Sequence, residues 1–230
     1  MTKPTRILTP KERELVKAVY GETVCSYNIK IQQGFRTFIV LNGTPAYTME
    51  NVIKFHNDYY LCEYAKFDRG REPLHSEYVE CSIEKKYDKC DICRFKDTQY
   101  TFIHEVAHVW QHQNKVYVSV PVKGAFAGFV GEIRREGDAR YRYELTDKKA
   151  SLVHYGIEQQ ASIVADYFYF RRYGYSAFVK RCNRIEEGKK GNLYCKNLDK
   201  YDEPSLRAAY EKVLSAKGLP IGPWPKECTI

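Results

Sequence analysis

Apolar residues recur every three to four positions in several stretches of the chain, which is the spacing of one face of an α-helix. The first stretch begins directly after Thr9. Thr9 and Glu12 form a capping box, and Pro10 takes the first helical position. A second begins at Asp97 and Thr98, residues that favour helix starts. The pattern predicts helices at about residues 10–20, 97–114, 157–168, 176–184 and 204–217.

Other stretches have the features of strands and loops. Between Val24 and Tyr64, short runs rich in Ile, Val, Thr, Phe and Tyr, such as 36–41, alternate with turn residues and predict a small sheet. Residues 115–122 alternate like a further strand, and 123–137 is a glycine-containing connection that borders the cleft in this interpretation. The order of helix, strands and then helices predicts an α+β domain.

The stretch from residue 66 to 97 is charged, contains turn-forming residues and holds three cysteines. We interpret it as a cysteine-rich insertion or long loop. The remainder of the 230 residues is of a size for one domain with a full core, so we expect a single domain over 1–230.

The helix predicted at 97–114 carries His104, Glu105 and His108, which form an H-E-x-x-H motif. Four residues are little more than one helical turn, so both histidines project from one face and can bind one ion. Glu105 then lies beside the ion as a general base, which is the pattern of a zinc hydrolase. The alternative is a pair of core histidines hydrogen-bonded to the backbone, an arrangement that does not require all three residues at this spacing.

A catalytic zinc ion takes three protein ligands and keeps one position open for water. His112 continues the histidine series, but it lies about 12 Å along a straight helix from His104. Both nitrogens would have to come within about 2.1 Å of the same ion. His112 is therefore not expected to be the third ligand.

The helix predicted after Gly156 offers Glu158 as the third ligand, and a His-His-Glu set is one known form of catalytic zinc site. Asp166, or Ser162 one turn after the glutamate, could hydrogen-bond a ligand histidine and fix its tautomer. His154 is the competing ligand, although it precedes the glycine. A solvent-facing position in the first helical turn is the other interpretation of Glu158.

Charge and composition narrow the class of protein. Charged residues make up 29% and hydrophobic residues 43% of the chain, as in ordinary globular proteins, and no apolar run is long enough to span a bilayer. The beginning of the sequence lacks the apolar region of a secretory signal, so we expect export, if it occurs, by another route. The net charge of +8 is dispersed, which indicates a solvated surface or, alternatively, attraction to an anionic partner. No nucleic-acid motif accompanies the charge.

Eight cysteines are many for a reduced cytosolic enzyme of this size. Three states are open: disulfides, free thiols, or a second metal site formed by Cys62, Cys81, Cys90 and Cys93. Cys182 and Cys195 flank a loop rich in Gly and Lys, so we expect them to form a disulfide.

Three stretches together resemble the vgr-related zinc metallopeptidases associated with type VI secretion, a family in which some members carry this domain at the C-terminus of the spike protein. The resemblance covers roughly residues 6 to 172, except for 66 to 97. It rests on Leu8–Leu15 with Val19–Gly21, on Phe102–Gln111, and on Tyr155–Ala161 continuing to Asp166–Phe168.

The resemblance implies a zincin-like fold in which His104, His108 and Glu158 bind Zn²⁺ and Glu105 is the catalytic base. It also implies an antibacterial toxin that acts in the periplasm of a neighbouring cell, a cognate immunity protein, and association with the type VI spike. Such delivery would fit the missing secretory signal and the cysteine count, because the chain would be loaded from the cytoplasm and reach an oxidising space later.

The expected reaction is metal-assisted hydrolysis of an amide bond in a peptide or protein, with Glu105 transferring the proton of a zinc-activated water to the leaving nitrogen. A tyrosine such as Tyr141, Tyr143 or Tyr155 could stabilise the oxyanion. One alternative substrate is the stem peptide of peptidoglycan, and another is the secretion machinery of the producing cell. A spike-associated binding module with structural zinc is the alternative that is not an enzyme.

Overall fold

The computed structural model describes residues 5–34, 45–65, 91–116, 140–186 and 195–215. Short strands and longer helices make up these ranges, joined by 3₁₀ turns. The strands are β1 (Thr5–Ile7), β2 (Lys30–Gln33), β3 (Ala46–Met49) and β4 (Val52–Phe55). The helices are α1 (Pro10–Tyr20), α2 (Asp91–Gln113), α3 (Ile157–Tyr173), α4 (Tyr175–Glu186) and α5 (Glu203–Ser215). The predicted α+β class is confirmed.

The four strands form one sheet in the order β1-β2-β4-β3. The central pair β2 and β4 is parallel, and the outer strands β1 and β3 are antiparallel to their neighbours. Ile31 and Ile53 are paired across β2 and β4, and both are fully buried because alternate residues of these strands face the core. On the other side of Ile53, β3 pairs through Thr48. This register places Thr48 against α2.

The start of α1 is linked to the rest of the fold by a buried carboxylate. Thr9 caps the helix, and its backbone N–H donates to Glu12 in a capping box. Glu12 also accepts two hydrogen bonds from Arg6, at 2.7 and 2.8 Å, and one from the backbone of Tyr64. The ring of Tyr64 stacks on Phe102 of α2 at 4.9 Å between centroids. The N-terminal elements are therefore tied to the helix that carries the H-E-x-x-H motif.

Helix α3 lies at the centre of the helical part. Its side chains are buried on nearly every face, as expected for a helix surrounded by other elements. It packs against α2 on one side and against α4 and α5 on the other, where Phe170 contacts Phe178 and Tyr210. Because of this central position, the polar residues of α3 are also buried: Glu158, Gln160, Ser162, Asp166 and Arg172.

The predicted helices are confirmed, with one error at the start of α2. This helix begins at Asp91, so residues 91–97, which we had assigned to the insertion, form its first turns. Asp97 is not a cap: its carbonyl accepts a hydrogen bond from Thr101, and its carboxylate pairs with Arg181 of α4 at 3.3 Å. The remaining insertion, the predicted strand at 36–41, most of the strand at 115–122 and the connection at 123–137 lie outside the described residues.

The predicted Cys182–Cys195 disulfide is wrong, since no bond joins these two sulfur atoms in the structure. Each is buried in the core as a small apolar side chain, and the Cys195 thiol donates to Asn197 at 3.6 Å. Burial raises the pKa of Cys195 to about 12. Cys25 and Cys62 are free and exposed. Cys93 lies in the first turn of α2, and Cys81, Cys90 and Cys228 lie outside the described residues.

Among the helices of the described residues, none has the length and apolar character that crossing a membrane requires.

Candidate metal centre

Three side chains from two helices converge on one point. His104 and His108 come from α2 and Glu158 from α3, and one potential ligand atom of each lies within 4.8 Å of the others. Glu158 Oε2 is 3.2 Å from His104 Nε2 and 3.3 Å from His108 Nε2. In a tetrahedral zinc site with ligand bonds of about 2.0–2.1 Å, neighbouring ligand atoms are about 3.4 Å apart. The donors are therefore of types that zinc accepts, and the two distances to Glu158 Oε2 are close to this spacing.

The electrostatics of these three residues favour a cation. All three are buried, with 8–9% of each residue exposed. Burial opposes protonation of His108, but the carboxylate of Glu158 outweighs burial and raises the pKa of His108 to about 9. Burial likewise disfavours the charged form of Glu158, yet the two histidines hold the pKa of Glu158 well below its usual range. A permanent negative charge thus lies beside two imidazoles in a site with little solvent.

The first turn of α3 positions Glu158. Gly156 is the N-cap residue, and its N–H donates to the side chain of Gln159 at 3.0 Å. The amide of Gln159 donates in turn to the carbonyl of Arg142 at 2.6 Å. These bonds anchor the start of α3, so the carboxylate two residues after the cap faces the histidines of α2.

Glu105 is adjacent to the three-residue cluster and is not one of its three donors. It is 6% exposed, and its charge contributes to the raised pKa of His108. The hydroxyl of Thr48 donates to Glu105 Oε2 at 2.7 Å and lies 3.1 Å from the Glu105 carbonyl. The sheet therefore holds one oxygen of this carboxylate. The sequence contains no local signal for this contact, because the two residues are 57 positions apart.

Gln111 is the second residue that sequence reasoning missed. Its Oε1 lies 2.8 Å from His108 Nδ1, on the side of the imidazole opposite Glu158. Gln111 is three residues after His108, and this helical spacing, which places two side chains on one face, was an available signal.

Asp166 and Ser162 of α3, which were predicted to orient a ligand histidine, are both fully buried. Asp166 accepts a hydrogen bond from Tyr143 at 2.6 Å and lies 3.6 Å from Arg181. Burial raises the pKa of Asp166 to about 6, against the opposing effect of Arg181. The Ser162 hydroxyl is buried and has no hydrogen-bond partner among the described residues. A role for either residue in orienting a histidine stays a prediction.

The three tyrosines that could stabilise the oxyanion differ in the residues they contact. The ring of Tyr141 lies 5.9 Å from that of His104, and burial together with Glu158 raises the pKa of its hydroxyl. The hydroxyl of Tyr143 is hydrogen-bonded to Asp166 and to Tyr210, and the hydroxyl of Tyr155 donates to a backbone carbonyl at 3.0 Å. Tyr141 is therefore the tyrosine of the three with a ring against a cluster histidine.

Neither His154, the competing third ligand, nor His112, which helix geometry argues against, is part of the cluster. His154 is exposed in a 3₁₀ turn before α3, and His112 is partly exposed near the end of α2. Within the described ranges, only His104, His108 and Glu158 form a group that could hold a metal ion.

Comparison with known proteins gives a partial match. No protein-family model matches the chain. It is similar to the effector domain of Pseudomonas aeruginosa VgrG2b, with a TM-score of 0.48, 23% sequence identity, and coverage of 78% of this chain and 83% of that one. Over 72 residues, which are 30% of this chain but 6% of the relative, it is 46% identical to the type VI secretion system spike protein VgrG2b of Pseudomonas aeruginosa. The chain therefore shares a stretch of sequence with a small part of a type VI secretion spike protein.

Proposed function

We propose that this protein is a zinc-dependent peptidase that hydrolyses an amide bond with Glu105 as general base. The observation that supports this most strongly is the cluster of His104, His108 and Glu158, in which the carboxylate oxygen lies 3.2 and 3.3 Å from the imidazole nitrogens, beside a separate buried carboxylate. Three protein donors leave one position of a four-coordinate ion open, which distinguishes catalytic from structural zinc sites. A purely structural site would have no need for Glu105 next to it.

A zinc ion held by these residues supplies a Lewis acid that polarises the scissile carbonyl and makes a water molecule acidic near neutral pH. Glu105 accepts the proton of the attacking water and delivers it to the nitrogen of the breaking C–N bond, so the products are a carboxylate and an amine. Thr48 keeps one oxygen of Glu105 in place during both transfers. The hydroxyl of Tyr141 is the candidate donor to the oxyanion.

The biological setting is part of the same proposal. The relative that shares 46% identity over 72 residues is, by its name, a spike protein of a type VI secretion system. This supports a role for the chain as a type VI secretion effector associated with the spike. An antibacterial action in the periplasm of a target cell, and a cognate immunity protein, complete the proposal.

The deciding experiment measures zinc content and peptide hydrolysis together. Glu105→Gln should bind one zinc ion per chain and lose hydrolysis, whereas Glu158→Ala should lose both. Glu144→Gln is the matched control, because Glu144 is exposed and its carboxylate lies outside the cluster. Hydrolysis at the wild-type rate by Glu105→Gln would disprove the general-base role of Glu105, and absence of hydrolysis by zinc-loaded wild type would disprove the peptidase.

Parallel digestion of a protein substrate and of purified sacculi identifies the substrate class. Release of peptide from sacculi by the wild type, but not by Glu105→Gln, would identify the substrate as peptidoglycan stem peptides rather than a protein. Expression in the periplasm tests the binding-module alternative. If Glu105→Gln were as toxic there as the wild type, binding rather than hydrolysis would be the function.

A further inference from the structure

Two buried glutamines form a continuous hydrogen-bond chain behind the candidate metal centre. Gln111 on α2 is fully buried, and Gln160 on α3 is 4% exposed. Gln111 Nε2 donates to the carbonyl of Ile157 at 2.8 Å and to Gln160 Oε1 at 3.0 Å. Gln160 Nε2 donates to the carbonyl of Tyr155 at 2.8 Å. The chain ends at His108 Nδ1, 2.8 Å from Gln111 Oε1.

The direction of this chain is determined by its backbone end. Carbonyl oxygens only accept hydrogen bonds, so the atoms of Gln160 and Gln111 that meet Tyr155 and Ile157 must be their NH₂ groups. With Gln160 in that orientation, its oxygen faces Gln111 and accepts from it. Gln111 then presents its own oxygen to His108, and an oxygen of an amide cannot donate. The hydrogen in the last bond must therefore belong to His108 Nδ1.

We propose that Gln111 and Gln160 are positioning residues that fix His108 in the tautomer with hydrogen on Nδ1, so that Nε2 presents its lone pair to the metal. This inference rests on the metal site of the proposed function. His108 Nε2 is the atom that faces Glu158 at 3.3 Å, so the tautomer set by the glutamines is the one that completes the ligand set. A hydrogen bond to the second nitrogen of a ligand histidine generally fixes the ring and raises metal affinity.

The same chain joins the two ligand-bearing helices. Gln111 reaches the carbonyl of Ile157, the residue directly before Glu158. One amide thus holds the histidine of α2 and the first turn of α3. The distance between His108 and Glu158 is consequently maintained by hydrogen bonds within a buried region, where an unsatisfied polar group is destabilising.

The test measures zinc affinity of the full chain by competition with a chromophoric chelator. Gln111→Met removes the acceptor for Nδ1–H and should weaken zinc binding by about 10- to 100-fold. Gln160→Met should weaken it by less than Gln111→Met does, because the Gln111 amide keeps its hydrogen bond to the carbonyl of Ile157. Gln111→Glu keeps an acceptor for His108 Nδ1–H but loses both NH₂ hydrogen bonds, so its zinc affinity should lie between those of Gln111→Met and the wild type.

Gln99→Met is the matched control. Gln99 is a fully buried amide on the same helix, it donates to the carbonyl of Tyr64 at 2.6 Å, and it accepts from Tyr173. It should lose stability but keep wild-type zinc affinity. If Gln111→Met bound zinc as tightly as Gln99→Met, the proposal would be overturned.

The tautomer itself is read from long-range ¹H–¹⁵N spectra of zinc-loaded wild-type protein. A protonated Nδ1 on His108 is expected, and zinc bound through Nδ1 would overturn the proposal whatever the variants do. Neither measurement uses a substrate. A failure here therefore leaves the peptidase test unaffected, and an active Glu105→Gln would leave the tautomer result standing.

Discussion

Thr48→Val tests the contact between the sheet and Glu105, the proposed catalytic base. Valine has nearly the shape of threonine and suits a strand, so the substitution removes the hydroxyl while the backbone pairing of β3 is retained. The lost bond is 2.7 Å long and ends on a carboxylate. Hydrogen bonds to charged groups contribute about 1.5–3 kcal/mol. If the full strength of this bond is realised only when Glu105 reaches its reactive position in the transition state, kcat should fall about 10- to 150-fold.

The assay compares steady-state kinetics on a peptide that the wild type cleaves. KM and zinc content should stay near wild-type values, because Thr48 contacts neither the three candidate ligands nor the region of Tyr141 in any described hydrogen bond. Thr48→Ser should restore most of kcat. Thr23→Val removes a hydroxyl that donates to the Tyr20 carbonyl, away from the cluster, and should leave kcat unchanged. A Thr48→Val enzyme with wild-type kcat, or a loss equal to that of Thr23→Val, would refute the positioning role.

Three further predictions concern stability. Glu12→Gln breaks the ion pair with Arg6 and should lower the free energy of unfolding in urea by about 3 kcal/mol. This is the lower end of the range for breaking a buried ion pair, because Arg6 keeps some solvent contact. Glu14 is exposed, so Glu14→Gln should change the free energy of unfolding little. Zinc at about 100 times its Kd should raise the free energy of unfolding by about 2.7 kcal/mol and Tm by about 5–10 °C. A chelator should reverse the shift. A shift of the same size in His108→Ala would contradict the proposed ligands. Asp166 has a folded pKa of about 6, above its unfolded value, so its contribution is greatest below pH 4 and is lost as the pH rises through 6. In zinc-free protein, the stability of wild type relative to Asp166→Asn should therefore fall by about 2–3 kcal/mol between pH 4 and pH 7, and a rise would contradict the assigned burial effect.

Local sequence predicted the helices well because their signals are local. The capping box at Thr9 and Glu12 forms as expected and starts α1 at Pro10. The same kind of signal was misleading at Asp97, where an acidic residue before a threonine indicated a helix start. In the structure, the Asp97 carboxylate pairs with Arg181, more than 80 positions away along the chain. A side chain used in a long-range ion pair cannot be distinguished from a cap by its neighbours alone.

Cysteine spacing was a weaker signal than helical periodicity. The loop between Cys182 and Cys195 indicated a disulfide, but both residues are buried in the core and no bond joins their sulfur atoms. Whether two cysteines bond depends on the distance and direction of their side chains, which a loop of uncertain path does not specify.

By itself, the sequence determined that His104 and His108 share one helical face with Glu105 between them, because the geometry of one helical turn relates residues four apart. Only the tertiary structure decided which other side chains lie next to these three residues. The packing of α2 on α3 brings Glu158 to 3.2 and 3.3 Å from the histidines and places Gln160 behind Gln111, and the sheet brings Thr48 to Glu105. These contacts join residues about 50 positions apart, and their distances depend on how whole elements pack rather than on any spacing along the chain.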